Sequence, residues 1–109
     1  MIYIVNKKHF KREGEDVVYI GRPSIYGNPF VVDVLHGMSR EQSIRMNKGY
    51  FNRRLLTDQE FQLAVMRILH KARVHDVYLV CWCAPLDCHG RVIKEYIDSI
   101  MENEGLKWN

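Results

Sequence analysis

Residues 77–97 constrain the fold of this chain more than any other stretch. They begin with Val-Tyr-Leu-Val, an apolar run of strand length, and such a run predicts a buried strand. Because the run is apolar throughout, the strand is expected at the centre of a sheet that is covered on both faces. A short polar loop then leads into an amphipathic helix that is predicted from about residue 90 to about residue 102.

The preceding chain predicts two further strands, at residues 2–5 and 17–20, which contain β-branched and aromatic residues. Residues 6–16 are highly charged and predict a hairpin or a surface loop. Residues 31–35 predict a short strand or an extended segment.

Two further helices are indicated by their caps. Ser39 is a good N-cap for a helix over residues 40–54, and Thr57 with Glu60 forms a second capping pattern. The helix behind Thr57 carries the clearest apolar stripe in the chain, at Phe61, Ala64, Val65, Ile68, Leu69 and Ala72. The order of elements predicts an α/β fold: one small, layered, Rossmann-like domain over residues 1–109, with a short, partly parallel sheet and about three flanking helices.

The bulk composition excludes several classes of protein. No apolar run is long enough to cross a membrane, and no signal peptide is recognisable, so a cytoplasmic protein is expected. All three cysteines lie within residues 81–88, which is a poor disulfide framework and predicts reduced thiols. A net charge of +3 permits an anionic ligand but does not indicate a dedicated nucleic-acid binder. The oligomeric state is not predicted.

Two loops are the candidate functional segments: residues 21–30, here the first loop, and residues 81–90, here the second loop. Each follows a predicted strand, and ligands of open α/β sheets bind beyond the carboxyl ends of the strands. If the two strands are parallel neighbours, both loops border one crevice. The predicted ligand-binding residues are Gly21, Arg22, Ser24, Gly27, Asn28, Trp82 and Gly90.

The cysteines of the second loop are candidates for chemistry. A thiol at a helix N-terminus is expected to be more acidic than usual, so Cys88 is a candidate nucleophile, with His89 or another histidine as its base. Cys83 is a further catalytic candidate. The alternative for Cys88 is packing as a small apolar residue, and Cys81 at the end of the strand is interpreted as core. Gly90 and Arg22 are expected to hold an anionic group at the start of the helix.

Zinc is the competing explanation of the cluster, because Cys81, Cys83, Cys88 and His89 are all ligands that zinc accepts. The spacing C-x-C-x4-C-H differs from the usual paired knuckles, and the adjacent Cys88 and His89 rarely reach one ion together. We therefore expect no cofactor, with structural zinc as the less favoured alternative.

The two loops also carry a family resemblance. Gly-Arg-Pro-Ser-x-x-Gly-Asn-Pro-Phe over residues 21–30 and Cys-Trp-Cys-x-Pro-x-x-Cys-His-Gly over residues 81–90 resemble the family called domain of unknown function 4326. The resemblance implies a compact α/β domain from a bacterium or a bacteriophage, and no established reaction. A general likeness to Rossmann-like nucleotide-handling domains adds an analogy of fold alone.

Three functions are consistent with these residues. The first is a pocket for a nucleotide, a nucleoside or a similar anionic ligand, with hydrolytic or transfer chemistry that depends on the Cys and His residues. The second is a non-catalytic module that senses a nucleotide or binds a protein. The third is a structural zinc domain.

Overall fold

A computed structural model describes residues 1–105 and contains a three-stranded sheet with three α-helices. The strands are β1 (Ile2–Asn6), β2 (Val17–Tyr19) and β3 (Val77–Cys81), in the order β1-β3-β2. Both outer strands run parallel to β3, so the sheet is parallel throughout rather than in part. The α/β class and the central place of the apolar strand are confirmed.

The helices are α1 (Arg40–Thr57), α2 (Gln59–Val74) and α3 (Gly90–Asn103). The Ser39 cap is confirmed, because its hydroxyl accepts the Gln42 N–H at 3.1 Å. The Thr57 cap is wrong: α1 continues through Thr57, and the Asp58 carboxylate accepts the Phe61 N–H at 3.1 Å instead. None of the helices within residues 1–105 is long and apolar enough to cross a membrane.

One hydrophobic core joins the sheet to the helices. The predicted stripe of α2 is buried in it, from Phe61 to Ala72, and so are Val92, Ile93, Ile97 and Met101 of α3. Ile2 of β1, with Val77 and Leu79 of β3, completes the buried layer. α2 and α3 bury their apolar faces against the sheet, and α1 packs on these two helices through Phe51.

Two connecting segments were predicted with alternatives. Of those for residues 6–16, the surface loop is confirmed and the hairpin is wrong, because β1 and β2 are parallel and β3 lies between them. Residues 31–35 do not form a strand: Asp33 pairs with Met38, and a short 3-10 helix, Val34–His36, lies between them. Gly37 closes this turn with a φ of 87°, a conformation that glycine adopts at low cost.

Candidate ligand-binding site

The two loops leave the carboxyl ends of adjacent strands and border one cavity. β2 pairs with β3 in parallel, so the chain enters the first loop directly beside the second. The cavity between them has a volume of about 350 Å³. The predicted meeting of the loops is therefore confirmed: Arg22 and Asn28 share this cavity with Cys83, Cys88 and His89.

Most of the predicted site residues line this cavity, including Gly21 and Trp82. Ser24, Gly27 and Gly90 do not. The remaining wall comes from β2, from the end of the first loop and the segment after it, and from α1, in addition to Cys81 and Asp87 of the second loop. These additional residues are Tyr19, Phe30, Val31, Val32, Arg40, Ser43 and Ile44.

Asn28 holds the first loop in shape. Its amide group donates to the Ser43 hydroxyl at 2.9 Å, and its carbonyl oxygen accepts the Phe30 N–H at 2.9 Å. The Ser43 hydroxyl in turn donates to the Phe30 carbonyl. Asn28 lines the cavity, but its side chain is already occupied by these bonds between the loop and α1.

Two more predicted residues of the first loop face protein rather than the cavity. The Ser24 hydroxyl is buried without a hydrogen-bond partner among residues 1–105. At Gly27 a Cβ would lie 3.1 Å from the Ser24 carbonyl oxygen and 3.1 Å from Cγ of Arg22. Gly27 therefore allows the loop to turn tightly on itself.

The structure corrects the role predicted for Gly90. A Cβ at this position would lie 2.9 Å from Cδ1 of Ile20 and 3.4 Å from Cδ1 of Ile4, so the glycine brings α3 close to the sheet. Its N–H donates to Sγ of Cys88 at 3.3 Å. The Arg91 and Val92 N–H groups donate to the carbonyls of Cys88 and His89. The start of α3 is therefore occupied by protein contacts, which argue against Gly90 as the place of the predicted anion.

Cys81 and Cys88 form a pair of contacting thiols. Their Sγ atoms are 3.4 Å apart, and both residues are buried while lining the cavity. The hydrogen bond from Cys88 lowers the pKa of the Cys81 thiol to about 6. The backbone N–H groups of Cys83 and Ala84 and the charge of Arg40 favour the same thiolate.

The pKa of Cys88 is raised, because its thiol donates to Cys81 and because it is buried. The direction of these pKa shifts favours Cys81 over the predicted Cys88 as the acidic thiol. A helix N-terminus does donate to its sulfur through Gly90, but the neighbouring thiolate of Cys81 outweighs that single bond.

His89 links the second loop to Ile20, the residue directly before the first loop. It is 7% exposed, and its Nε2 lies 2.6 Å from the Ile20 carbonyl oxygen, so Nε2 carries the proton and donates. Burial lowers the pKa of His89, and the nearby charge of Arg22 lowers it further. The ring is neutral at pH 7, and Nδ1 is the nitrogen that is left to accept a proton.

Two arginines make the cavity cationic. Arg22 is exposed on the first loop, and Arg40 is half-buried at the first position of α1. The arginine salt bridges within residues 1–105 involve other arginines, so both guanidinium groups lack a carboxylate partner. Asp87, the acidic residue of the wall, is paired with Arg91 at 3.0 Å, and Arg40 donates only to its backbone carbonyl.

Trp82 provides an aromatic surface at the edge of the cavity. Its side chain is 59% exposed, and its Nε1 donates to the Tyr19 hydroxyl at 3.1 Å. Tyr19 donates onward to the Arg22 carbonyl at 2.9 Å. Asn6 holds the backbone from below, since its amide donates to the Trp82 and Ala84 carbonyls at 3.2 and 2.7 Å. The indole is thus held in place while more than half of the residue remains accessible.

The candidate metal ligands do not assemble into a site. Within residues 1–105, no group of three or more His, Cys, Asp or Glu residues is arranged to hold a metal ion. Cys81 contacts Cys88, whereas Nε2 of His89 is directed to a backbone carbonyl. All three cysteines are free thiols.

Sequence reasoning missed Tyr19, Arg40 and Asn6, although each has a recognisable signal. Arg40 is a cation at the first position of a helix, where the helix dipole disfavours positive charge, so a functional reason is expected there. Asn6 and Tyr19 end their strands at the edge where parallel α/β sheets bind ligands.

These features define a class: a small α/β domain with a cationic, partly aromatic cavity at the carboxyl edge of a parallel sheet. The chain belongs to the family described as Domain of unknown function (DUF4326), whose family model matches residues 5–99. The family resemblance of the two loops is thereby confirmed. No curated protein and no solved structure matches the chain.

Proposed function

We propose that this protein binds a nucleotide or a closely similar small anionic ligand in the cavity between the two loops. The observation that carries the proposal is the pair of arginines, Arg22 and Arg40, which face one cavity without a carboxylate partner within residues 1–105. A guanidinium group binds phosphate through two parallel N–H bonds. Two arginines without carboxylate partners in one cavity are therefore well suited to bind a phosphate group.

The other walls suit the remainder of a nucleotide. The exposed indole of Trp82 offers a stacking surface for a base, and such stacking contributes about 1–3 kcal/mol. Phe30, Val31 and Ile44 supply apolar contact. The volume of about 350 Å³ lies at the small end of the range for ligand pockets, which favours a mononucleotide over a larger cofactor.

A second candidate function is a reaction on the bound ligand, as in a nucleotide-directed hydrolase or transferase. It is favoured by Cys81, because a thiol with a pKa of about 6 is largely thiolate at neutral pH and lines the cavity. In this proposal Cys81 replaces Cys88 as the nucleophile, and Nδ1 of His89 is the nearby base. Ligand turnover that Cys81→Ser abolishes, while binding persists, would distinguish the enzyme from a binding module.

The family implies a setting for this function. With three free thiols, a reducing cytoplasm of a bacterium or of a phage-infected cell is the proposed location.

The test is calorimetric titration of the four ribonucleoside monophosphates, the matching nucleosides and inorganic phosphate against the full chain. Arg40→Ala and Arg22→Ala should each weaken binding of a nucleoside monophosphate by about tenfold to a hundredfold, because a charge-assisted bond contributes about 1.5–3 kcal/mol. The matched control is Arg53→Ala, an exposed arginine of the same helix that does not line the cavity. Absence of binding throughout the panel, or equal affinity in Arg40→Ala, would reject the proposal.

A further inference from the structure

The back wall of the cavity contains two thiols in contact. Sγ of Cys81 lies 3.4 Å from Sγ of Cys88. Cys81 ends β3, and Cys88 lies two residues before α3 begins, so strand, helix and loop all position the pair. A disulfide has a sulfur separation of about 2.05 Å, so the two sulfurs need to approach by only about 1.4 Å to form one.

The surroundings distinguish the two sulfurs. Cys81 lies close to the backbone N–H groups of Cys83 and Ala84 and to the charge of Arg40, all of which favour its thiolate. Cys88 retains its proton and donates to Cys81. The pair thus holds an attacking thiolate beside a resolving thiol, an arrangement that is found in redox-sensing cysteines.

Access to the pair is through the cavity. Cys81 is 1% exposed and Cys88 is 4% exposed, yet both border the open space between the loops. A small reagent that enters this space meets the sulfurs, whereas a bulky peptide disulfide is hindered. Cys83 is half-buried in the same wall and serves as an internal reference thiol.

We propose that Cys81 and Cys88 are a modification site, an oxidisable dithiol that a small hydroperoxide converts into an intrachain disulfide. The inference goes beyond ligand binding and does not depend on which ligand the cavity takes. It rests on the contact of the two sulfurs, on their shared access from the cavity and on the different surroundings of each.

The reaction balances with one hydroperoxide as the oxidant. The Cys81 thiolate attacks one oxygen of hydrogen peroxide, the O–O bond breaks, and hydroxide leaves, so that Cys81 becomes a sulfenic acid. The Cys88 sulfur then attacks the Cys81 sulfur, the S–S bond forms, and the sulfenic oxygen leaves as water with the Cys88 proton. Hydroxide takes a proton from solvent. Two thiols lose two electrons in total, and one peroxide is reduced to two waters.

The test uses the reduced full chain, treated with hydrogen peroxide, alkylated and cut on the N-terminal side of aspartate. This cleavage separates residues 76–86, which contain Cys81 and Cys83, from residues 87–97, which contain Cys88. We expect the two peptides to be joined by a bond that dithiothreitol breaks, with Cys83 carrying the alkyl group. This measurement needs no variant, so a failure of any variant to fold does not affect it.

Matched variants establish which thiol reacts. Cys83→Ser should form the cross-link within about twofold of the wild-type rate, and Cys81→Ser should lose peroxide reactivity by at least about tenfold, because the thiolate is the attacking species. Cys88→Ser should stop at a sulfenic acid that dimedone traps at Cys81. A disulfide that includes Cys83, or peroxide-treated protein in which both Cys81 and Cys88 remain reduced or are oxidised without cross-linking, would overturn the proposal.

Discussion

The two loops that border the cavity use their polar residues in opposite ways. In the first loop Asn28 bonds to α1 and to its own loop, and Tyr26 donates to the Ala64 carbonyl of α2 at 2.8 Å. Arg54 of α1 donates to the Ile25 carbonyl of the same loop at 3.0 Å. Its polar groups therefore maintain its own fold, and Arg22 is the side chain left free to meet a ligand.

The second loop leaves its reactive groups directed to the cavity. Asn6 fixes its backbone from β1, and His89 anchors its end to the Ile20 carbonyl. Cys81, Cys83 and Trp82 are consequently available at the cavity wall. The difference teaches that a dense sequence motif does not by itself indicate ligand contact. The first loop lies over α1 and α2 and uses its motif to hold its own structure. The second loop is held by Asn6 of β1, and its cysteines border the cavity.

The largest expected effect is on stability, at Asn28. Asn28→Ala removes two partly buried hydrogen bonds and leaves the Phe30 N–H without its acceptor, so the free energy of unfolding should fall by about 1–3 kcal/mol in urea denaturation. Asn28→Asp retains the acceptor and should lose less. In the second loop, Cys83→Ser should change stability by less than about 0.5 kcal/mol. If Asn28→Ala kept its stability and lost ligand affinity, Asn28 would be a ligand-binding residue rather than a structural one.

The next effect is on affinity, through the support of Trp82. A Cβ at Gly21 would lie 2.4 Å from the Tyr19 hydroxyl, so Gly21→Ala turns the tyrosine away and breaks its bond to the indole. Nucleotide binding measured by calorimetry should weaken by about threefold to tenfold, since one hydrogen bond contributes about 0.5–1.5 kcal/mol. Tyr19→Phe should reproduce the loss.

A matched control for that substitution is Gly49→Ala. Gly49 is exposed on α1, and a Cβ there meets no atom of residues 1–105 within 4 Å. Its nucleotide affinity should equal that of the wild type. If Gly21→Ala also binds normally, the Tyr19 hydroxyl does not position the indole for the ligand.

A smaller effect concerns pH, because His89 holds the second loop to Ile20 as a neutral ring. Burial lowers its pKa from the ordinary 6.5, so below pH 6.5 the unfolded chain binds a proton at His89 more readily than the folded chain does. The stability that depends on the neutral ring is complete above pH 6.5 and is lost as the pH falls toward the lowered pKa. His89→Gln can still donate to the Ile20 carbonyl and should show a flatter decline in melting temperature below pH 6.5. An equally steep decline in that variant would assign the acid sensitivity to other groups.

The smallest expected effect is at Ser24. Its hydroxyl is buried without a partner within residues 1–105, so Ser24→Ala removes an unsatisfied polar atom and should leave stability unchanged or slightly higher. Nucleotide affinity should also be unchanged, because Ser24 does not line the cavity. A clear loss of affinity in calorimetry would show that the first loop contributes a second side chain to the ligand.

The sequence alone was sufficient for the class of fold and for the meeting of the two loops at one cavity. The apolar run in β3 predicts a strand covered on both faces, and the stripe of α2 predicts a helix with one buried face, so local patterns indicate these elements. The meeting of the two loops followed from the same reasoning, because parallel neighbouring strands end at the same edge.

Tertiary structure decided which residues of the loops face the cavity and what their chemistry is. Asn28 became a structural residue because Ser43, fifteen positions away, supplies its partner. Gly90 became a packing residue because Ile20 lies against it, and the backbone N–H groups of Cys83 and Ala84 favour Cys81 over Cys88 as the acidic thiol. Arg40 joined the site from another element altogether. Each outcome depends on a contact between separate segments of the chain or across the second loop. Sequence periodicity indicates only which face of a helix or strand is buried, so it does not reveal these contacts.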